Sequence, residues 1–531
     1  MVSLFMGWKP GFGPVVKVLR YDADDPLTLA NTAYDRYFFN SETQDLSYIY
    51  DKFYFSNGFN PSVYPATAPN TSNYVLEGGT LAAAKRALSS RVGASSGSHY
   101  FKYYEIFNRF PDMAGMVPIF EAKLIDPNDR VKLLDFNGAD GNKQLFTLAT
   151  LYNAMSVYAD NPVNNQAATL IQYDRIAADL NFTGWCGQIS NYTGPAYTYI
   201  AMGNTVPVMR ALICQWDLPA NNAPLPFPDS APVPGQEVVR LSGSEFKVAR
   251  RGQTVDTLNP RGLLINSNKA PNMCVMMGET PIIPAGGSYY FAKTTPIDLH
   301  PLMFLDGIMR FDGMAYSIPP VDPTVSRSGR EARFFYKIDK NGITFTNEGN
   351  YAIGCKFMVY ATSIEQLTSG GSLVMRTLPD GNIQIKRPGS SDSAPNSNDI
   401  LLDTRFPSVR IIKQDWLPIS AFSTSLSLDP LFGTHAAVVP FQSSGLFIFP
   451  KVVGNWPKMM AQGYYRSLRP PNVVNWFTSN YCMTTVVREN DMVIHLSPGR
   501  PTDMRADTGE EYSMPDPTGV RYYVLGAARL Y

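Results

Sequence analysis

Four histidines, His99, His300, His435 and His495, are the first residues to weigh for acid–base or metal chemistry. No two stand at a spacing such as HxxxH, and each sits alone. His495 in MVIHLS reads as a packed or exposed strand residue rather than a ligand. Five cysteines (Cys186, Cys214, Cys274, Cys355, Cys482) are scattered with no CxxC. An odd number at wide spacing argues against both a disulfide framework and a zinc site, and predicts buried free thiols in a reducing compartment. Clustered carboxylates at Asp22-Ala23-Asp24-Asp25 and between Asp135 and Asp140 resemble parts of calcium loops. Both lack the later bidentate acid, so turn-forming Asp and Asn is the preferred reading. The acidic stretch from Asp503 to Glu511 reads as a solvated loop. P-loop and GxGxxG patterns are absent from the chain. A carboxylate pair for sugar hydrolysis needs only nearness in space, and nothing marks a pair out. The expectation is no enzyme, no cofactor and no metal.

One surface candidate remains. Residues 444–477, SGLFIFPKVVGNWPKMMAQGYYRSLRPPNVVNWF, place Trp456, Tyr464, Tyr465, Trp476 and Phe477 among Gly, Pro and Arg. Aromatic and arginine side chains dominate protein contacts and also stack on sugar rings. The competing reading is that these aromatics fill the third module and its subunit contacts.

The elements that must position such residues follow from a repeat. Residues 246–267 read FKVARRGQTVDTLNPRGLLINS, and residues 383–404 read IQIKRPGSSDSAPNSNDILLDT. Each runs from a short strand to an arginine (Arg250, Arg387), and each ends a second strand in Ser267 or Thr404, 17 residues on. A looser copy opens the chain, with VKVLR leading to YFFNS and 21 residues from Arg20 to Ser41. The last two copies also share a following strand, a hairpin and a closing strand. FFYKIDKNGITFT predicts a hairpin turning at Asn341-Gly342, where both residues would tolerate the positive φ of a type I′ turn.

This divides the chain into an N-terminal arm (1–15), a first module (16–218), a Pro-rich linker (219–240), a second module (241–365), a linker with Gly370-Gly371 (366–382) and a third module (383–531). The fold class expected is mainly β: tandem antiparallel sandwich-like modules. Helix-forming composition at 80–91 and in 144–180 predicts a small helical insertion in the first module. Lys+Arg and Asp+Glu are both 45, so nucleic-acid binding has no compositional support. Charged residues make only 17% of the chain, and 30 Tyr, 30 Phe, 42 Pro and 40 Gly favour short strands and turns. No apolar run reaches membrane-helix length, so membrane insertion is not expected. The first residues lack a basic, then apolar leader, so no secretory signal is read and the sequons at Asn70, Asn181 and Asn191 are taken as chance.

The strand–Arg, polar link, LLxxS/T opening, with its hairpin and closing strand, resembles β-modules of tailed-bacteriophage appendage proteins (tail, tail-tip and fibre). The resemblance rests on VKVLR…YFFNS, FKVAR…LLINS and IQIKR…ILLDT. It implies a virion structural protein in a symmetric assembly, made in the host cytoplasm, whose partners are copies of itself and other virion proteins. Low charge with many aromatics suits surfaces covered by neighbours. Two alternatives stay open: an adhesin that binds a host glycan or receptor through the aromatic run, and a polysaccharide depolymerase.

Overall fold

The computed structural model describes residues 3–43, 46–58, 116–126, 128–137, 208–219, 234–257, 262–267, 269, 271–318, 320, 331–423, 435–456, 483–496 and 519–530, with strand segments at 73–77, 86–92, 99–105, 146–147, 150–154, 185–191, 196–202, 459–462, 502–505 and 510–513. Among them, ten strands recur in the same order in each module. Module 1 holds β1 (Ser3–Lys9), β2 (Gly13–Leu19), β3 (Tyr37–Asn40), β4 (Tyr48–Gly58), β5 (His99–Glu105), β6 (Met116–Ile125), β7 (Val131–Asn137), β8 (Trp185–Asn191), β9 (Ala196–Met202) and β10 (Val208–Pro219). Module 2 holds β11 (Val239–Leu241), β12 (Phe246–Ala249), β13 (Leu263–Asn266), β14 (Cys274–Glu279), β15 (Ser288–Ala292), β16 (Leu305–Phe311), β17 (Ser317–Ile318), β18 (Glu331–Asp339), β19 (Gly342–Asn347) and β20 (Ile353–Tyr360). Module 3 holds β21 (Met375–Thr377), β22 (Ile383–Lys386), β23 (Ile400–Asp403), β24 (Arg410–Pro418), β25 (His435–Pro440), β26 (Phe447–Trp456), β27 (Met459–Gln462), β28 (Met483–Val487), β29 (Asp491–Leu496) and β30 (Gly519–Ala527). Strands ten apart in this numbering are equivalents.

The repeated sequence sets one register three times. Val18 faces Phe39, Val248 faces Ile265 and Ile385 faces Leu402. One residue later each ladder slips by a bulge, which turns the strand out of the sheet. The arginine backbone then closes the link: the N–H groups of Arg20, Arg250 and Arg387 donate to the carbonyls of Arg36, Gly262 and Asp399. The Ser/Thr at the far end caps the opening strand, since Val16 N–H donates to Ser41 Oγ at 2.9 Å and Ile383 N–H to Thr404 Oγ1 at 2.9 Å. The recurring Arg and Ser/Thr are thus backbone geometry, not a ligand site.

Each opening pair gains a third strand on its outer side. β1 pairs with β2, β11 with β12, and β21 with β22. The N-terminal segment expected to be an arm is therefore the outer strand of the first small sheet. The two segments expected to be linkers likewise end in strands, because a neighbouring strand satisfies their backbone groups better than an exposed coil would.

Below these small sheets each module repeats one connectivity. β4 pairs with β10, and β10 with β6; β14, β20, β16 and β24, β30, β26 do the same. The hairpins β8–β9, β18–β19 and β28–β29 each pair through their second strand with β5, β15 or β25. The modules are not beads. Module 2's hairpin extends module 1's sheet, with β18 on β7, and module 3's hairpin extends module 2's, with β28 on β17.

A closed ring of backbone hydrogen bonds joins all three modules. Ser47 N–H donates to Val409 O (2.9 Å), Val409 N–H to Asn272 O (2.7 Å), and Asn272 N–H to Ser47 O (3.0 Å). The flanking residues pair in the same cyclic sense: Leu46 with Arg410, Pro271 with Tyr48, and Ser408 with Met273. All three ring residues are fully buried. This is the signature of a pseudo-threefold axis within a single chain. Two residues along each strand lie Ile49, Cys274 and Ile411, which face the equivalent residues Trp216, Tyr360 and Leu525. The Trp216 and Tyr360 rings meet edge to face, with centroids 5.4 Å apart.

Two hydrophobic cores lie on this axis. The smaller is built from the cap sheets, equivalent by equivalent: Val18, Val248 and Ile385 with Phe39, Ile265 and Leu402. The larger runs through the lower sheets of all three modules. At its centre three fully buried charged groups converge from equivalent strands: Lys123 of β6, Asp306 of β16 and Lys451 of β26. Lys123 Nζ lies 2.8 Å from Asp306 Oδ1, and Lys451 Nζ lies 2.9 Å from Oδ2. Tyr360 donates its hydroxyl to Oδ2 at 2.7 Å, and Lys451 also rests 4.4 Å from the Trp216 ring centroid. Burial alone would push the Asp306 carboxyl up, but the two lysine charges and their hydrogen bonds outweigh it and hold it far below the usual carboxylate range.

Two local expectations change. Where helices were expected, residues Arg86–Val92, Phe146–Thr147 and Thr150–Ala154 are strands, paired on Asn73–Glu77 and β5, on β7 and on β6 respectively. Cross-strand pairing overrides a weak helix propensity there. The rest of the expected insertion, 144–145, 148–149 and 155–180, lies outside the described residues. The hairpin of module 2 turns one residue earlier than expected, at Lys340-Asn341, and without positive φ. Gly342 serves a close approach instead: a Cβ there would run into the Phe291 carbonyl and the Tyr290 ring of β15.

Removing Asp306 leaves two lysines buried without their counter-ion. Asp306→Ala is expected to lower the unfolding free energy by about 3–5 kcal/mol. The apolar triple substitution Lys123→Met, Asp306→Leu, Lys451→Met should recover most of that loss. Urea unfolding of the three proteins checks both statements.

Candidate assembly surface

Among the described residues, several exposed large apolar side chains lie at sheet edges. β1, β11 and β21 are the outer strands of the three cap sheets; β15 and β25 end the two largest sheets. On these edges stand Trp8 (68% exposed), Leu241, Met375, Tyr289, Tyr290 and Val438. Tyr21, Leu367 and Leu373 add exposed apolar area in adjoining loops. An edge strand presents unpaired backbone donors and acceptors, and proteins that stay alone usually guard such edges with charge or proline. Here large apolar side chains stand beside them, which is the pattern of a surface covered by a neighbour. The second cap sheet carries a charge cluster, where Arg240 bridges Glu237, Glu245 and Asp256.

The sequence did not single these residues out. Trp8 lay in the expected arm, and the Tyr289–Tyr290 doublet carries no motif.

The aromatic candidate is not assembled into a described site. Trp456 ends β26, its backbone paired with Met459 of β27. Tyr464, Tyr465, Trp476 and Phe477 lie outside the described residues. Asp25 caps its own turn, accepting from Leu27 N–H at 2.8 Å and Thr28 Oγ1 at 2.9 Å. Among the described residues no three His, Cys, Asp or Glu side chains cluster as metal ligands would. Cys274 and Cys355 are buried free thiols, and burial pushes both above the usual thiol range.

A cleft of about 360 Å³ opens where module 2 meets module 3, with Tyr316, Lys356, Ser443, Arg488 and Arg529 among its lining. Its cations are engaged. Lys356 lies 4.4 Å from the Tyr316 ring centroid and 3.8 Å from Glu279. Arg488 Nε donates to Asp491 at 2.5 Å, and Arg529 Nε to the Gly445 carbonyl at 3.2 Å. Ser443 Oγ donates to Asn490 Oδ1 at 3.0 Å, and that amide oxygen is no general base. The lining therefore offers contacts but no activated nucleophile.

His495, 4% exposed on β29, is held neutral: burial, then the Arg488 charge, lower it to about 4. Its folded value lies below the ordinary value of about 6.5. The unfolded chain therefore takes up the proton first, and stability should fall as pH drops from about 6.5 toward 4. Asp306 acts lower. Its depressed carboxyl contributes fully above the unfolded value of about 4 and loses that contribution as pH falls further. Thermal melts across pH should show both windows, and His495→Leu should flatten only the upper one.

The chain matches no family model, no curated protein and no solved structure.

Proposed function

We propose that this protein is a structural subunit of a symmetric virus particle, acting through protein–protein contacts with copies of itself and with other virion proteins. A tail, tail-tip or fibre position is the place to which its modules' resemblance to tailed-phage appendage proteins points. The observation that carries the proposal is the set of exposed apolar side chains on sheet edges around a pseudo-threefold axis. The pseudo-threefold supports it further, because three equivalent modules offer like surfaces in three directions to a surrounding array.

The test is biochemical. Purified particles should contain the chain at a fixed ratio to the major virion protein by quantitative mass spectrometry, and absence from particles overturns the proposal. Trp8→Ser combined with Tyr290→Ser should weaken association with virion partners while shifting the melting temperature little, since both side chains are exposed.

A further inference from the structure

A lysine, an asparagine and a glutamate meet in the first cap sheet, all three shut away from water. Lys17 of β2 stands directly opposite Asn40 of β3. Opposite residues of an antiparallel pair share one face, with Cβ atoms about 5 Å apart. Lys17 and Asn40 are fully buried, and Glu42 is 6% exposed. The Glu42 carboxylate pairs with Lys17 Nζ through Oε1, and the Glu42 backbone N–H donates to Asn40 Oδ1 at 3.0 Å. Asn31 ties the remaining atoms together: its Nδ2 donates to Glu42 Oε2 at 3.2 Å, and its Oδ1 accepts from Asn40 Nδ2 at 3.0 Å. Lys17 Nζ also donates to the Pro26 carbonyl at 2.6 Å. Lys9 of β1, a half-buried residue, reaches the same carboxylate from outside at 2.8 Å. An amine on a carboxylate, beside a carboxamide whose oxygen is held by an N–H donor, is the set of groups that amide exchange needs.

We propose that Lys17 and Asn40 become joined by an isopeptide bond from Nζ to Cγ, formed within the folded chain with Glu42 moving the protons. The link goes beyond the assembly role and does not depend on it. Nζ gives a proton to Glu42 and attacks Cγ with its lone pair. The charge that develops on Oδ1 is met by the Glu42 N–H. The Cγ–Nδ2 bond then breaks, Glu42 returns its proton to Nδ2, and ammonia leaves. One amide replaces another, so atoms and electrons balance with no further reactant. Burial lowers Lys17 below the usual lysine range despite the Glu42 charge, which favours the free amine. Burial would raise Glu42, but hydrogen bonds from Lys17, Lys9 and Asn31 outweigh it and keep the carboxylate ionised to take the proton.

The other modules show which parts the site needs. In module 2, Lys247 again faces an asparagine, Asn266. There the lysine side chain is 20% exposed and pairs with Glu245 at 2.7 Å, and the position matching Glu42 is Asn268. In module 3, Gln384 faces Asp403 and donates to it at 2.5 Å, with Arg405 at the place of Glu42. The first module brings buried amine, amide and acid together. The link would fix β2 to β3 across the module's long connection.

Peptide mapping of the full chain by tandem mass spectrometry, after folding and then digestion, tests this directly. A branched peptide joining Lys17 to Asn40 is expected, lighter than its two parts by one ammonia. Glu42→Gln keeps the size of the side chain but takes no proton, and should slow formation of the branch on the order of a hundredfold or more, followed over time in protein whose thermal melt shows it folded. Lys17→Met and Asn40→Ala each remove a reacting group and should give no branch. The proposal is overturned, whatever the variants do, if the folded parent chain yields Lys17 and Asn40 only as ordinary peptides. It is also overturned if ammonia is lost at Asn40 without a branch, as in a cyclic imide, if the branch starts at Lys9, or if folded Glu42→Gln forms it as fast as the parent. Lys247 and Asn266 should be recovered unlinked; a branch there would overturn the part given to burial and to the acid.

Discussion

Three backbone hydrogen bonds, Ser47 to Val409, Val409 to Asn272 and Asn272 to Ser47, hold the molecule's geometry. Each is of ordinary strength, worth about 0.5–1.5 kcal/mol net. Their importance is positional. Each ring residue stands between a cap strand and a long lower strand, so closing the ring fixes where three cap sheets meet and where three lower sheets begin. Side chains reinforce the closure around it. Ser47 Oγ donates to Val409 O at 3.0 Å, and Asn272 Nδ2 donates to Ser47 Oγ at 3.3 Å. Arg410, just beyond the ring, crosses to the Tyr34 and Tyr37 carbonyls of module 1, and Arg387 reaches the Ser267 carbonyl of module 2. A buried ring with unpaired members would cost more than its bonds supply, so the three modules must meet together or not at all.

The same axis explains why three modules share one chain. Just below the ring, equivalent positions carry Trp216, Tyr360 and Leu525, three different side chains filling one space. Lower still stand two lysines and one aspartate. A homotrimer would have to place three identical groups at each level. Three lysines or three carboxylates at such a depth would repel one another and remain unpaired. Covalent linkage of three diverged copies allows a large ring beside smaller ones and an acid between two bases. The long stretches of chain between contacts carry the entropic cost of this arrangement, since Ser47 and Val409 are 362 residues apart.

What could be read from the sequence follows this division. The β class and the openings of modules 2 and 3 were legible because FKVAR…LLINS and IQIKR…ILLDT pack like against like in the cap. The outer strands were not: Ser3–Lys9, Val239–Leu241 and Met375–Thr377 are short and lie in Gly/Pro-rich or linker-like composition, and only their partners reveal them. The exchange of hairpins was also hidden. Alternation in FFYKIDKNGITFT identifies a hairpin but not which module's sheet receives it. Lys123, Asp306 and Lys451 looked like unremarkable strand residues, because nothing local distinguishes a buried charge whose partners are over a hundred residues away. The aromatic run 444–477 was conspicuous for composition alone, and composition does not fix a position in space.

Similarity among the modules is therefore strongest where the pseudo-threefold demands it and weakest where it forbids it. In the cap, each sheet contributes equivalent apolar residues to one shared core, so each module tolerates only side chains that fit beside two near copies of themselves. At the axis of the lower body the copies must differ, because identical groups would collide or repel. Segments unique to one module accumulate at sheet ends and between shared strands. Strands Asn73–Glu77 and Arg86–Val92 widen the sheet beyond β5, and the pair Thr502–Arg505 with Glu510–Ser513 stands between β29 and β30. The first copy of the repeat has a longer link between Arg20 and Tyr37, while Val18 and Phe39 keep the register that the cap requires.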